Sequence, residues 1–167
     1  MGDDWRLITA TLSDVEQISY IQDKFLPVCG SQYKTSDPHI TIIPPFVVPD
    51  EEHYSQIQSM VNDWDLVGSR ITVHGAGIWP NIDNPRVILL DTSIDSFEIY
   101  QKEIVEFIKT VGGELWYDPS PSHITLCKCD SAYDLEAYRK NSIRSQVSNM
   151  RESWETQITG VEIETTK

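Results

Sequence analysis

Four residues, His39-Ile40-Thr41-Ile42, return with one aliphatic exchange as His123-Ile124-Thr125-Leu126. The copies stand about half the chain apart and use two of the four histidines in 167 residues. In an extended strand, side chains two positions apart share a face and their neighbours take the other. His39 and Thr41 are therefore expected on one open surface, with Ile40 and Ile42 turned into a core; His123 and Thr125 repeat this against Ile124 and Leu126. An imidazole is the side chain suited to moving protons near neutral pH. A hydroxyl beside it can donate to an oxygen on which negative charge develops. Two such pairs facing across a cleft supply one histidine to take a proton and another to give one back.

The elements that must carry these pairs are legible from periodicity. Arg6 to Leu12 alternates as a strand, and Ser13-Asp14-Val15-Glu16 resembles a capping box before the helical spacing Val15, Ile18, Ile21, Phe25. Pro27 and Gly30 predict its end, and a polar loop from Ser31 to Pro38 leads into the first motif strand, which Pro44-Pro45 should stop. Asp50 caps a helix with the stripe Tyr54, Ile57, Met60, Val61, Trp64. Arg70 to Trp79 and Arg86 to Asp91 read as strands around a turn-rich segment from Pro80 to Pro85. Asp95 opens a helix with Phe97, Tyr100, Ile104, Phe107, Ile108 and Val111 on one side, stopped by Gly112-Gly113. The second motif strand, His123 to Cys129, a helix near Ser131 to Lys140 and a strand near Gln157 to Ile163 complete the order. Two related α+β halves with mostly antiparallel sheets fit that sequence of elements, in a single domain spanning residues 1–167.

Composition narrows the function. With 40% hydrophobic and 23% charged residues the chain reads as globular, and no apolar run approaches the ~20 residues of a membrane span. The acidic start, Met1-Gly2-Asp3-Asp4-Trp5, lacks the regions of a secretory signal, so a cytoplasmic protein is expected. Cys29, Cys127 and Cys129 are an odd set, expected as reduced thiols. Cys127 and Cys129 could share a strand face with His123, but the spacing is not that of a usual zinc site, and no metal or other cofactor is expected. Thirteen basic against 26 acidic residues leave a net charge of −13. No basic stripe for long nucleic acid is visible, so the substrate is small or the chain works at high salt.

The paired H-x-T-hydrophobic motifs resemble those of the two-histidine (2H) phosphoesterase superfamily, most of all its bacterial and archaeal 2′-5′ RNA ligase and RNA cyclic phosphodiesterase group. Gly75-Ala76-Gly77-Ile78-Trp79-Pro80 with Arg86-Val87-Ile88-Leu89 is similar to that group's mid-chain strand pair. Pro121-Ser122-His123-Ile124-Thr125-Leu126-Cys127-Lys128 resembles its second motif. The resemblance implies a bilobed α+β fold, two pseudo-symmetric, mostly antiparallel sheets with outer helices flanking a central cleft. It also implies metal-free acid–base hydrolysis of 2′,3′-cyclic phosphates or 2′-5′ phosphodiester bonds in RNA ends or small nucleotides, with His39, Thr41, His123 and Thr125 as the catalytic set. The same motif pair occurs in phage nucleases that degrade cyclic oligonucleotide signals, a reading under which the chain would act in a host cytoplasm. A third possibility is a module that binds RNA ends or nucleotides without turnover.

Further candidates surround the motifs. Lys128 is a candidate phosphate contact, although it has the opposite strand parity from His123 and needs a bend or a strand end to reach the cleft. Arg86 heads a strand and is a candidate phosphate contact or a solvated edge. Trp79 and Tyr33 could stack on a base. His53 should face solvent from its helix, and His74 could face the cleft. A water-accessible cleft favours hydrolysis over ligation, and the chain is expected to act as a monomer, off membranes.

Overall fold

A computed structural model describes residues 4–29, 37–81, 83, 85–129, 137–150 and 153–166. The alternation from Arg6 makes β1 (Arg6–Leu12), which buries Ile8, Ala10 and Leu12. Its helix α1 (Val15–Cys29) buries Ile18, Ile21 and Phe25 on one stripe and carries Pro27 within its last turn. The first motif opens β2 (His39–Val47), and α2 (Glu51–Asn62) comes next with Asp50 as its N-cap. The long strands β3 (Arg70–Trp79) and β4 (Val87–Ser93) form a hairpin. Then come α3 (Phe97–Thr110), the short β5 (Glu114–Leu115), the second motif strand β6 (His123–Lys128), α4 (Ala137–Asn149) and β7 (Trp154–Thr165). No helix among the described residues is long and apolar enough to cross a membrane.

The order β1-α1-β2-α2-β3 is thus repeated as β4-α3-β6-α4-β7, with β5 inserted before the second motif. Pairing obeys the same symmetry. β1 lies between β2 and β7, and β4 lies between β6 and β3, all antiparallel. The two sheets expected from the halves are joined where β3 meets β7 and where β2 meets β6, giving one seven-stranded sheet in the order β1-β7-β3-β4-β6-β2-β5. Because β1 also pairs with β2, every strand except β5 belongs to a closed ring.

Helices cross between the halves. α1 leaves β1 yet packs on β6, beside α4; α3 leaves β4 yet packs on β2. α2 stands next to α3 through Trp64 and Tyr100, whose rings are 5.0 Å apart, and through His53 and Phe107. Each motif strand is therefore backed by a helix that belongs to the other half. The layer between is aliphatic, with Ile8, Ile18, Ile40, Ile42, Ile43, Ile57, Ile71, Ile88 and Leu90 fully buried.

Several sequence expectations are corrected. Pro44-Pro45 do not stop β2, which runs on to Val47. The register against β1 slips at that point, so the prolines occupy a bulge where a missing N–H breaks no ladder bond, and the Pro45 carbonyl accepts from Trp116 at 2.9 Å. The N-cap of α3 is Ser96, in the left-handed region at φ 65°, rather than Asp95. The last helix runs past Lys140, its expected end, to Asn149. Of its residues 140–149 only Ile143 is buried, so it has no stripe for periodicity to detect, and residues 130–136 lie outside those described.

Asp50 illustrates how a local signal is realised. Its carboxylate accepts from the backbone N–H of His53 at 3.0 Å, which holds the group below the usual carboxylate range, helped by the His53 ring 2.7 Å away. A group ionised more readily in the folded state contributes stability at neutral pH and loses it as pH falls through its titration. Replacement Asp50→Ala should lower Tm at pH 7, and the gap to wild type should close toward about pH 2. Equal Tm values at pH 7 would remove this cap from the account.

Candidate active site

The motif strands touch at one paired position, Ile40 opposite Ile124, in antiparallel sense. Antiparallel geometry then places His39 across from Thr125 and Thr41 across from His123. Diagonal neighbours in such a pair are about 7–8 Å apart, the scale of one phosphodiester between two imidazoles. Ile40, Ile124, Ile42 and Leu126 are buried, whereas His39, Thr41, His123 and Thr125 are half-exposed on the other face. All four line one pocket of about 240 Å³, together with Ile42, Pro44, Tyr117, Ser120 and Lys128.

Each ring is held in the same way. His39 Nδ1 lies 2.8 Å from the Asp37 carbonyl and His123 Nδ1 lies 2.9 Å from the Pro121 carbonyl, two residues upstream in both cases. A carbonyl oxygen only accepts, so each Nδ1 donates, and the neutral ring keeps its lone pair on Nε2. Both histidines thus present the same nitrogen for proton exchange. The loop before His123 is further anchored by Ser122, whose Oγ donates to the Thr92 carbonyl at 2.8 Å and accepts from Thr92 Oγ1 at 2.9 Å.

A second feature repeats in both strands. Opposite β4, Ile88 pairs with Cys127 and the next residue, Leu89, pairs with Thr125, so Leu126 is extra. Opposite β1, Ile8 pairs with Ile43 and Thr9 with Thr41, so Ile42 is extra. Each motif strand therefore bulges immediately after its threonine, and two successive residues, Ile42-Ile43 and Leu126-Cys127, are buried. The bulge reverses the parity of the residues beyond it. Lys128 consequently joins the face of His123 and Thr125, and Pro44 occupies the equivalent place beyond His39 and Thr41. The same bulge sends Cys127 into the core, away from the face of His123, so the three residues His123, Cys127 and Cys129 do not share one side of the strand.

The cleft extends into a larger cavity of about 710 Å³ that shares Tyr117, Ser120, His123, Thr125 and Lys128 with the first pocket. Trp79 and Tyr117, each 57% exposed, line it with Leu89, Asp91 and Asp118. The backbone of Gly77 makes room there: a Cβ would approach Leu89 Cδ1 to 3.2 Å and Asp91 Oδ2 to 3.3 Å. Arg86 is exposed just ahead of β4 and lines neither pocket; its backbone bonds to Trp79 and Cys129. His74 is also outside both, with its Nε2 2.5 Å from Ser93 Oγ. His53 is taken up by Asp50, and Tyr33 falls outside the described residues. Sequence reasoning missed Tyr117, Ser120 and Asp91; of these only Asp91, at the end of an alternating strand, carried a signal.

No protein-family model and no curated protein matches the chain. Solved structures match over nearly its whole length. TT0787 of Thermus thermophilus aligns with a TM-score of 0.62 at 13% identity, over 98% of this chain and 95% of that one. A crystal structure titled as a phosphoesterase gives 0.57 at 13% identity, over 98% and 96%. The PDE domain of MHV ns2 gives 0.54 at 15% identity, over 97% and 99%. At these identities the likeness is one of fold.

The shared hydrogen-bond pattern has a direct spectroscopic consequence. Long-range ¹H–¹⁵N spectra at alkaline pH should show His39 and His123 both as Nδ1–H tautomers; an Nε2–H signal from either ring would contradict the geometry.

Proposed function

We propose that this chain, which has the fold of the two-histidine phosphoesterases, is a metal-independent phosphodiesterase acting on 2′,3′-cyclic phosphates or 2′-5′ linkages of small or terminal ribonucleotides. The observation that carries this reading is the arrangement of two identical His-Thr pairs on one face, each Nδ1 tied to a carbonyl two residues upstream. One Nε2, unprotonated, takes a proton from water as the water oxygen bonds to phosphorus. The other Nε2, protonated, gives its proton to the departing ribose oxygen as the phosphorus–oxygen bond breaks. The rings end with exchanged protonation, which solvent restores. Thr41 and Thr125 donate to the non-bridging oxygens, and the Lys128 ammonium offsets the charge that gathers on them. Each proton transfer contributes about 10²–10⁴ and positioning supplies the rest.

The surroundings favour a compact substrate. Lys128 is the sole lysine or arginine among the described residues lining the two pockets, and Asp91 and Asp118 stand in the larger one. A single phosphodiester suits that balance better than a chain of them, and the faces of Trp79 and Tyr117 suit the attached base. The alternative substrate, a cyclic di- or trinucleotide, fits the size of the cavity but sets additional phosphates against the carboxylates.

Chromatography of a panel of 2′,3′-cyclic mononucleotides, 2′-5′ dinucleotides and cyclic oligonucleotides, with and without chelator, tests the assignment. The first two classes should be turned over, and chelator should not matter. His39→Ala and His123→Ala should each lower kcat by about 10²–10⁴ while leaving nucleotide binding largely intact. Thr125→Val should cost about 10²-fold in kcat. The rate should follow a bell-shaped pH profile that belongs to the histidine pair. Undiminished turnover in His39→Ala, or activity lost to chelator and restored by zinc, would overturn the mechanism.

A further inference from the structure

The bulge after each threonine raises a question of hydrogen bonding. An extra residue in a strand drops out of the ladder, and Ile42 and Leu126 are both buried, so their carbonyls need a donor from elsewhere. Two glutamines supply it. Gln22 of α1, 0% exposed, donates from Nε2 to the Leu126 carbonyl at 2.7 Å. Gln101 of α3, 8% exposed, donates from Nε2 to the Ile42 carbonyl at 3.0 Å, and also to the Ser120 carbonyl at 2.9 Å. The arrangement is reciprocal: α1 of the first half holds the motif strand of the second, and α3 of the second holds the motif strand of the first.

We propose that Gln22 and Gln101 are a matched pair of positioning residues, each pinning the bulge that sets the reactive face of the opposite motif strand; this rests on the phosphodiesterase reading of the cleft. The site dictates the residue type. A buried lysine or arginine would carry an unpaired charge, and a hydrocarbon would leave the bulge carbonyl orphaned. A primary amide offers two neutral donors on a side chain long enough to reach from a helix to the sheet. Gln101 uses both, spanning the bulge at Ile42 and the Ser120 carbonyl on the approach to His123. Without the bulges Lys128 and Pro44 would turn away from the cleft.

A mere stabilising role predicts loss of Tm with normal chemistry in the molecules that remain folded. A positioning role predicts strand-specific effects in the folded protein. Gln22→Met keeps the volume and removes the donor; it should displace the ring resonances of His123 and leave those of His39. Gln101→Met removes two bonds. It should displace His39 through Ile42, and His123 less strongly through Ser120. Both should lower kcat, by up to about 10²-fold, with KM little changed. Gln22→Glu and Gln101→Glu provide the rescue. A buried carboxylic acid still donates one hydrogen bond, so at low pH Gln22→Glu should match the wild-type ring resonances. Gln101→Glu, which restores one of two bonds, should lie nearer to them than Gln101→Met, and both should depart once the group ionises. The ring spectra need no substrate, so they remain decisive if the wild-type protein turns over none of the proposed phosphodiesters. Folded Met variants with unmoved histidine signals and wild-type kcat, or Glu variants without a pH-dependent displacement, would overturn the proposal.

Discussion

The antiparallel contact between Ile40 and Ile124 is the constraint that aligns the two motifs across the cleft. Both isoleucines are fully buried, and each lies between the histidine and threonine of its own motif. Pairing them across strands brings four polar side chains to one surface without any of them touching the core. The ladder extends no further between β2 and β6. Beyond that point β2 continues along β1 and β5 while β6 continues along β4, and the divergence leaves room for a pocket. A longer ladder would close the cleft; no ladder would leave the two motifs held in register only through β1–β7, β3–β4 and β3–β7.

The near-symmetry of that arrangement is broken within the cleft. Pro44 and Lys128 occupy equivalent positions past the two bulges, one apolar and one cationic. The larger cavity lies on the side of His123, where Trp79, Tyr117, Asp91 and Asp118 gather. Under the proposed reading, a substrate entering this cleft would meet two similar imidazoles but only one side with room for its bulk. The net charge of −13 belongs to the same picture. It disfavours extended polyanions over the surface as a whole, and one lysine at the cleft would give local compensation for the single phosphate of the proposed substrate.

Periodicity made much of this architecture legible. Period-two spacing put His39 with Thr41 and His123 with Thr125, and the helical stripes of α1, α2 and α3 marked the faces that cover the sheet. What it could not show were departures from regularity. Parity assigned Lys128 to the wrong side because one extra residue, Leu126, intervenes; the same residue undid the grouping of Cys127 with His123. Pro44-Pro45 read as a stop because a proline breaks a regular ladder, and here the ladder is already irregular. The two-residue β5 is too short for any pattern, and α4 is too polar. Gln22 and Gln101 looked like ordinary helix residues, since a buried amide is distinguished only by the carbonyl it meets.

The ring formed when β1 returns to β2 has a bearing on how this molecule meets other chains. A sheet with open borders offers rows of unsatisfied amides onto which a foreign strand can add. Here, among the described residues, the strand order ends only in β5, Glu114–Leu115, a border two residues long that begins with a carboxylate. The order therefore offers no long terminal strand for self-templated growth or β-augmentation, and the stretches left with one partner lie where β2 parts from β6 and β3 from β7.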